Sequence, residues 1–296
     1  MKFYNHKKNF LAIQEKPLYS FKESKFVIQS APYEYTSSYL LGSSKGPGAI
    51  IKASHYVELY DEELDQESYK LGGICTLEPM DFTGKVNEKA IKLIEKETAK
   101  LLEHDKFPIT LGAEHSITFG VFKAIKQKYP DVHVLQFDAH SDLREAYQGN
   151  IYSHASVMAR IHQADAPITQ IGIRAQCIEE ATLIKESKNI QTYYAHQIRQ
   201  NDQWALEALK TLGNNVYITI DTDGFDPSIA PAVGTAEPNG LYWHETIMFL
   251  KDVFATKNVV GFDVVECAPV KGSILTEYNM AKLVYKLIGF QTLKSK

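Results

Sequence analysis

The sequence predicts a single three-layer α/β/α domain over residues 1–296, with a mostly parallel central sheet between two layers of helices. Two observations carry this prediction. Short apolar runs at 107–111, 132–137, 168–173, 216–220 and 259–265 alternate with amphipathic stretches of ten or so residues, the pattern of strands joined by crossover helices. The chain has 296 residues, 44% hydrophobic and 23% charged, enough for one large unit, and no linker, internal repeat or low-complexity tract divides it.

Taken in order, residues 25–30 read as the first strand, stopped by Ala31-Pro32-Tyr33. The glycine-rich stretch 42–48 is a loop ahead of a helix at 49–55; it lacks the G-x-x-x-x-G-K-[ST] order, so no phosphate loop is expected. The acidic run 61–66 reads as a solvated face. A strand is expected near 72–77, then a helix over 87–102 with Ala90, Ile91, Ile94, Thr98, Leu101 and Leu102 on its apolar stripe. From there the alternation is regular: strand 107–111, helix 116–129, strand 132–137, helix 154–162, strand 168–173. A short helix near 179–185, strand 190–194, helix 203–212, strand 216–220, helix 243–254, strand 259–265 and a last helix at 277–288 complete it.

Composition excludes several function classes. A formal net charge of -4 gives no basic footprint for nucleic acid. No apolar run approaches the roughly 20 residues that cross a bilayer, and the N-terminus has no secretory apolar core, so no membrane association and a cytoplasmic location are expected. Cys75, Cys177 and Cys267 are widely separated and form no C-x-x-C, which argues for buried thiols rather than disulfides or a zinc ribbon.

The chemistry concentrates where strands end. Asp138-Ala139-His140-Ser141-Asp142 follows the strand 132–137, and alternation in an extended segment would set Asp138, His140 and Asp142 on one face, roughly 6.5 to 7 Å apart. Carboxylates that close repel unless a cation lies between them, so the pattern reads as a metal site rather than a solvated strand end. It is repeated: strand 216–220 ends in Asp221-Thr222-Asp223, and strand 107–111 leads into Gly112-Ala113-Glu114-His115-Ser116. In a parallel sheet such strand ends share one crevice. The set His115, Asp138, His140, Asp142, Asp221 and Asp223 exceeds what one four-coordinate ion needs, so a pair of ions is expected. Oxygen-rich ligands without thiolate favour Mn²⁺. Two such ions supply hydroxide at neutral pH, the signature of a hydrolase.

Together with Asp226-Pro227 and Asp263-Val264-Val265-Glu266, these motifs resemble the ureohydrolase family of arginases and agmatinases, from about Ser24, through Gly46-Pro47 and Ile171-Gly172-Ile173-Arg174, to about Tyr285. The resemblance implies an arginase-like fold. It implies one Mn²⁺ on His115, Asp138, Asp142 and Asp221 and a second on Asp138, His140, Asp221 and Asp223. It makes Glu266 the carboxylate that holds a small cationic guanidino substrate, and His154 a proton shuttle. Asp142 then carries a proton to the leaving amine after hydroxide attacks the guanidinium carbon, and urea and a primary amine depart.

Substrate choice follows the segment after Asp142. Leu143-Arg144-Glu145-Ala146-Tyr147 lacks the asparagine with which arginases hold an amino acid's polar end, so the chain looks like an agmatinase, cleaving agmatine to putrescine and urea. Guanidinobutyrase, arginase and formiminoglutamase are the alternatives, with a metal-binding scaffold without turnover as a more distant one. Arg144 is expected to pair structurally and point away from the site. Ala236, Asn239 and Cys267-Ala268-Pro269 depart from the family's pattern and affect loop shape. Deacetylases of similar architecture need a His-His pair and binuclear phosphatases need G-D-x-H-G; the chain has neither. The resemblance also implies a homo-oligomer, a trimer or hexamer.

Overall fold

The structure, a computed structural model, describes residues 1–293. Its core is one sheet of eight strands: β1 Phe26–Ala31, β2 Ile74–Thr76, β3 Phe107–Gly112, β4 His133–Phe137, β5 Ile168–Ile173, β6 Ile190–Tyr194, β7 Asn215–Asp221 and β8 Asn258–Val265. The order across the sheet is β2-β1-β3-β8-β7-β4-β5-β6, and every pairing is parallel. The expected "mostly parallel" sheet is therefore parallel throughout.

Among the described residues ten α-helices surround the sheet: α1 Lys16–Tyr19, α2 Gly46–Ser54, α3 Glu88–Glu103, α4 Ile117–Lys128, α5 Val157–Gln163, α6 Ile178–Glu186, α7 Ala195–Ile198, α8 Trp204–Thr211, α9 Trp243–Thr256 and α10 Leu275–Leu293. Strand alternation divides the core between them. On β7, Val216, Ile218 and Ile220 pack with α2, α8, α9 and α10, while Tyr217 packs on the other face with α3, α4 and α5. The six stripe residues expected on α3 are the six it buries. Among the described residues, no helix is long and apolar enough to cross a membrane.

Three differences from the sequence reading have plain causes. The helix expected at 154–162 is a 3-10 turn, His154–Ser156, before α5, because Ser153 Oγ accepts the Ala155 N–H and tightens the first turn. Residues 138–142 do not continue β4, which ends at Phe137; Asp142 has φ +53°, so strand alternation is not what aligns the three side chains. Cys75 and Cys267 are buried as expected, whereas Cys177 is only half-buried at the start of α6, where its side chain and Glu180 form the capping box.

A buried imidazole under the sheet gives a pH dependence. His133 Nδ1 accepts the Gly213 N–H at 3.3 Å, and Nε2 lies 2.9 Å from Thr169 Oγ1, an arrangement for the neutral ring. Burial, then the charge of Lys257, pushes its pKa down from 6.5 to about 4. Above the unfolded value the contribution to stability is complete; between 6.5 and about 4 the unfolded chain takes up a proton that the folded one refuses. Stability is expected to fall by up to about 3 kcal/mol across that window. His133→Gln should flatten this part of the urea-unfolding profile, read as wild type minus variant so that acid loss of any bound metal cancels.

Candidate metal centre

The centre of the sheet holds β3, β8, β7 and β4 side by side, and the carboxyl end of each leads directly into a candidate site residue. β3 delivers Glu114 and His115, β4 delivers Asp138, His140 and Asp142, β7 delivers Asp221 and Asp223, and β8 delivers Glu266. Parallel pairing at neighbouring registers, Phe137 with Ile220 and Asp221 with Val265, keeps these ends level.

Two Asp/His groups with the spacing of metal ligands result: His115, Asp138 and Asp142, and Asp138, His140 and Asp223, the ligand atoms of each within 4.8 Å of one another. Asp138 belongs to both. His115 Nδ1 lies 3.0 Å from Asp138 Oδ2, 3.0 Å from Asp142 Oδ2 and 3.3 Å from Asp221 Oδ2. His140 Nδ1 lies 3.1 Å from Asp223 Oδ2 and 3.7 Å from Asp138 Oδ1. All six expected ligands thus come together, with Asp221 beside the first group and outside the second triplet.

The donors fit a cation. His115 Nδ1 is buried and, among the described residues, makes no hydrogen bond, although three carboxylate oxygens surround it. Its tautomer is fixed from behind. Thr219 Oγ1 donates to Asp263 Oδ1 at 2.6 Å and so accepts from His115 Nε2–H at 2.9 Å, leaving the Nδ1 lone pair aimed into the cluster. Asp263, fully buried, also accepts from Thr118 Oγ1 at 2.9 Å and from the Tyr217 hydroxyl. Thr219→Val should therefore leave the fold intact and weaken divalent-metal affinity about 10- to 100-fold, measured by titration of the metal-stripped protein.

Electrostatics agree. Burial opposes charge on His115 and His140, but the aspartates around them win: His115 is raised well above its ordinary range and His140 to about 12. Burial, then the charge of Asp138, pushes Asp142 up to about 7; burial, then Asp223, raises Asp221 well above the carboxylate range. Asp138 is instead lowered: burial works against this, but His115 and His140 both hold its anion. A cluster that binds protons this strongly favours a cation in its midst.

The remaining candidates line the same narrow cleft, with Ser37, Ser38, Tyr39 and Leu40 as its outer wall and Thr235 opposite. Glu266 is buried, and its Oε1 accepts the His115 N–H at 2.7 Å. Burial, then the charge of Glu114, raises its pKa well above the usual range. His154 is held by Thr36, whose Oγ1 accepts its backbone N–H at 3.0 Å and lies 3.1 Å from Nδ1. Burial, then the positive charge of His115 and His140, pushes His154 down to about 4, so it is neutral at pH 7. Asp142 and Glu266 both adopt left-handed backbone, φ +53° and +61°, a conformation costing about 1 to 3 kcal/mol that non-glycine residues keep mainly at functional sites.

The structure also accounts for residues without an assigned part. Glu114, fully buried, accepts the N–H groups of Tyr35 and Thr36 at 2.8 and 2.6 Å, tying down the wall of the cleft. Arg174 donates to the carbonyls of Asp223 and Phe225, bracing the Asp221-to-Asp223 turn. Both sit in motifs the sequence displays, but neither motif says which backbone they hold. Arg144 is not among the residues that line the cleft; its guanidinium lies 5.7 Å from the centre of the Tyr147 ring, while Glu145 pairs with Arg160 at 2.9 Å. Asn239 adopts φ +64°, which explains how asparagine stands where glycine is usual.

A parallel α/β sheet with an Asp/His cluster at its central strand ends defines an enzyme of the metal-binding hydrolase class. The profile described as "Arginase family" matches residues 24–289. The chain is 39% identical over 295 residues to the N(1)-aminopropylagmatine ureohydrolase of Synechocystis sp., covering 98% of this chain and 95% of that protein. It is 37% identical over 259 residues to the agmatinase of Bacillus cereus, covering 85% and 86%. The crystal structure of the agmatine ureohydrolase of Thermoplasma volcanium superposes with a TM-score of 0.83 at 31% identity, over 96% of this chain and 94% of that one. The chain belongs to the arginase family, as an agmatinase-like ureohydrolase.

Proposed function

We propose that this protein is a binuclear manganese hydrolase that cleaves a guanidino amine to urea and an amine, with agmatine, giving putrescine, as its substrate. The observation that carries this is the pair of Asp/His groups sharing Asp138 beside the buried carboxylate of Glu266. His115, Asp138, Asp142 and Asp221 would hold one ion and Asp138, His140, Asp221 and Asp223 the other; bound there, the two ions supply hydroxide at neutral pH.

The chain's own residues do the rest. Glu266 presents a carboxylate to the planar guanidinium, a charge-assisted pairing that orients the carbon to be attacked. Asp142, which lines the cleft beside His115, is placed to carry a proton to the leaving amine. His154 is neutral, and Thr36, having accepted the backbone N–H, leaves its hydroxyl hydrogen for Nδ1, so that Nε2 is free to exchange protons with water.

Among the described residues no lysine or arginine lines the cleft, which favours a small cationic substrate over one ending in a carboxylate. The N(1)-aminopropyl derivative of agmatine is the second reading, favoured by the relative of that name that matches nearly the whole chain. Cytoplasmic location and a homo-oligomer, trimer or hexamer, complete the proposal. Urea release with Mn²⁺ supplied should be fastest from agmatine or its aminopropyl derivative and slow from arginine and 4-guanidinobutyrate. Chelation should abolish it and Mn²⁺ restore it. Absence of urea from all four substrates would overturn the reading.

A further inference from the structure

A roomy cavity lies apart from the metal centre. It has a volume of about 550 Å³ and lies beside the N-terminus of α2, between the chain's first residues and the end of β1. That volume is within the range of small-molecule sites.

Its chemistry is one-sided. Lys7, Lys8, Lys45 and Lys52 line it, no acidic side chain does, and none of the four lysines makes an ion pair among the described residues. This is a local excess of positive charge on a chain whose formal net charge is -4. The adjoining helix supplies no free donor there, since the Gly46 N–H bonds the Ser43 carbonyl and Pro47 has none, so the lysines carry the positive charge. The carboxylate of Glu34 lies outside the cavity and is taken up by the N–H groups of Gly42, Ser43 and Ser44, and Glu78, also outside it, is near Tyr4.

A second observation is independent of charge. Ser30, which also lines the cavity, is 2% exposed, and its Oγ has no hydrogen-bond partner among the described residues. A buried hydroxyl without a partner costs about 1 to 3 kcal/mol, and one facing a cavity is placed for a ligand to satisfy it. Ser30 shares the β1 face of Phe26 and Ile28, which pack toward α2, the side on which the cavity opens. The other wall is apolar or aromatic, with the Tyr4 ring and Pro79.

We propose that this cavity binds a phosphate-bearing small molecule of about mononucleotide size, its phosphate held by the lysines and its body against the apolar wall. The stretch before α2 lacks the order of a phosphate loop, so the inference rests on the cavity and its donors and not on a motif. It stands apart from the proposed reaction and survives if that reading fails.

Isothermal titration of the full-length, metal-loaded protein with adenosine 5′-monophosphate tests it, against adenosine and inorganic phosphate. The monophosphate should bind with an affinity that falls as salt rises, phosphate more weakly, and adenosine not measurably. Lys45→Glu with Lys52→Glu should weaken binding at least tenfold and leave urea release without ligand unchanged; Lys185→Glu with Lys188→Glu, the same charge change elsewhere on the surface, should not weaken it. Ser30→Ala should lower affinity a few-fold while raising the melting temperature, because it removes an unpartnered buried hydroxyl; a structural role for Ser30 would lower it. No binding at millimolar concentration overturns the proposal. So does binding that the paired lysine changes leave intact, the result expected if the phosphate merely competes at the metal centre.

Discussion

Asp138→Asn is expected to reduce urea release more than about 100-fold and to lower the content of tightly bound divalent metal. The reasoning starts from position: Asp138 is the one residue common to both Asp/His groups, and its two oxygens approach His115 and His140 separately. Removing partners behind a ligand typically costs about 10- to 100-fold in metal affinity, so neutralising a carboxylate shared by both groups should cost more. Asparagine keeps the shape and can still accept the His140 N–H that Asp138 Oδ1 receives at 2.6 Å, so the loop should stay in place. Elemental analysis beside the activity assay checks both halves. A variant that retained two ions and most of its turnover would remove the basis of the mechanism.

Glu266→Gln should act differently. The amide is isosteric and tolerates the left-handed backbone no worse than the acid, so fold and metal content should be unchanged. A hydrogen bond to a charged group contributes about 1.5 to 3 kcal/mol, and losing about 2 to 3 kcal/mol corresponds to roughly a 30- to 150-fold fall in kcat/KM. Burial and the neighbouring Glu114 make an anion expensive at this position, so the variant should melt no lower than the wild type. Steady-state kinetics on agmatine with a parallel melting curve decide the matter. An unchanged kcat/KM would show that the guanidinium is held elsewhere.

The fold was legible because its strands are continuous apolar runs and α3 is strongly amphipathic; both patterns are local. The candidate metal ligands were legible because D-x-H-x-D and D-x-D sit immediately after such runs. The backbone that arranges them was not. An extended segment was expected through Asp142, yet its positive φ turns the chain there, and nothing in Ser141-Asp142-Leu143 announces that turn. Thr36, 118 residues from His154, is invisible to any spacing argument, since the contact exists only once the loop after β1 folds over the sheet. The same holds for Thr219 and Asp263, adjacent in the ladder between β7 and β8 and 44 residues apart in the chain.

The position of β8 bears on how the protein matures. It is the last strand in sequence but lies between β3 and β7, so until residues 258–265 have emerged from the ribosome the sheet exists only as two unjoined halves. His115 belongs to one half and the aspartates to the other. The ion held through His115 should therefore be captured only when that final strand inserts, late and slowly, as non-local parallel pairing demands, whereas the group of Asp138, His140 and Asp223 is assembled within one half before it.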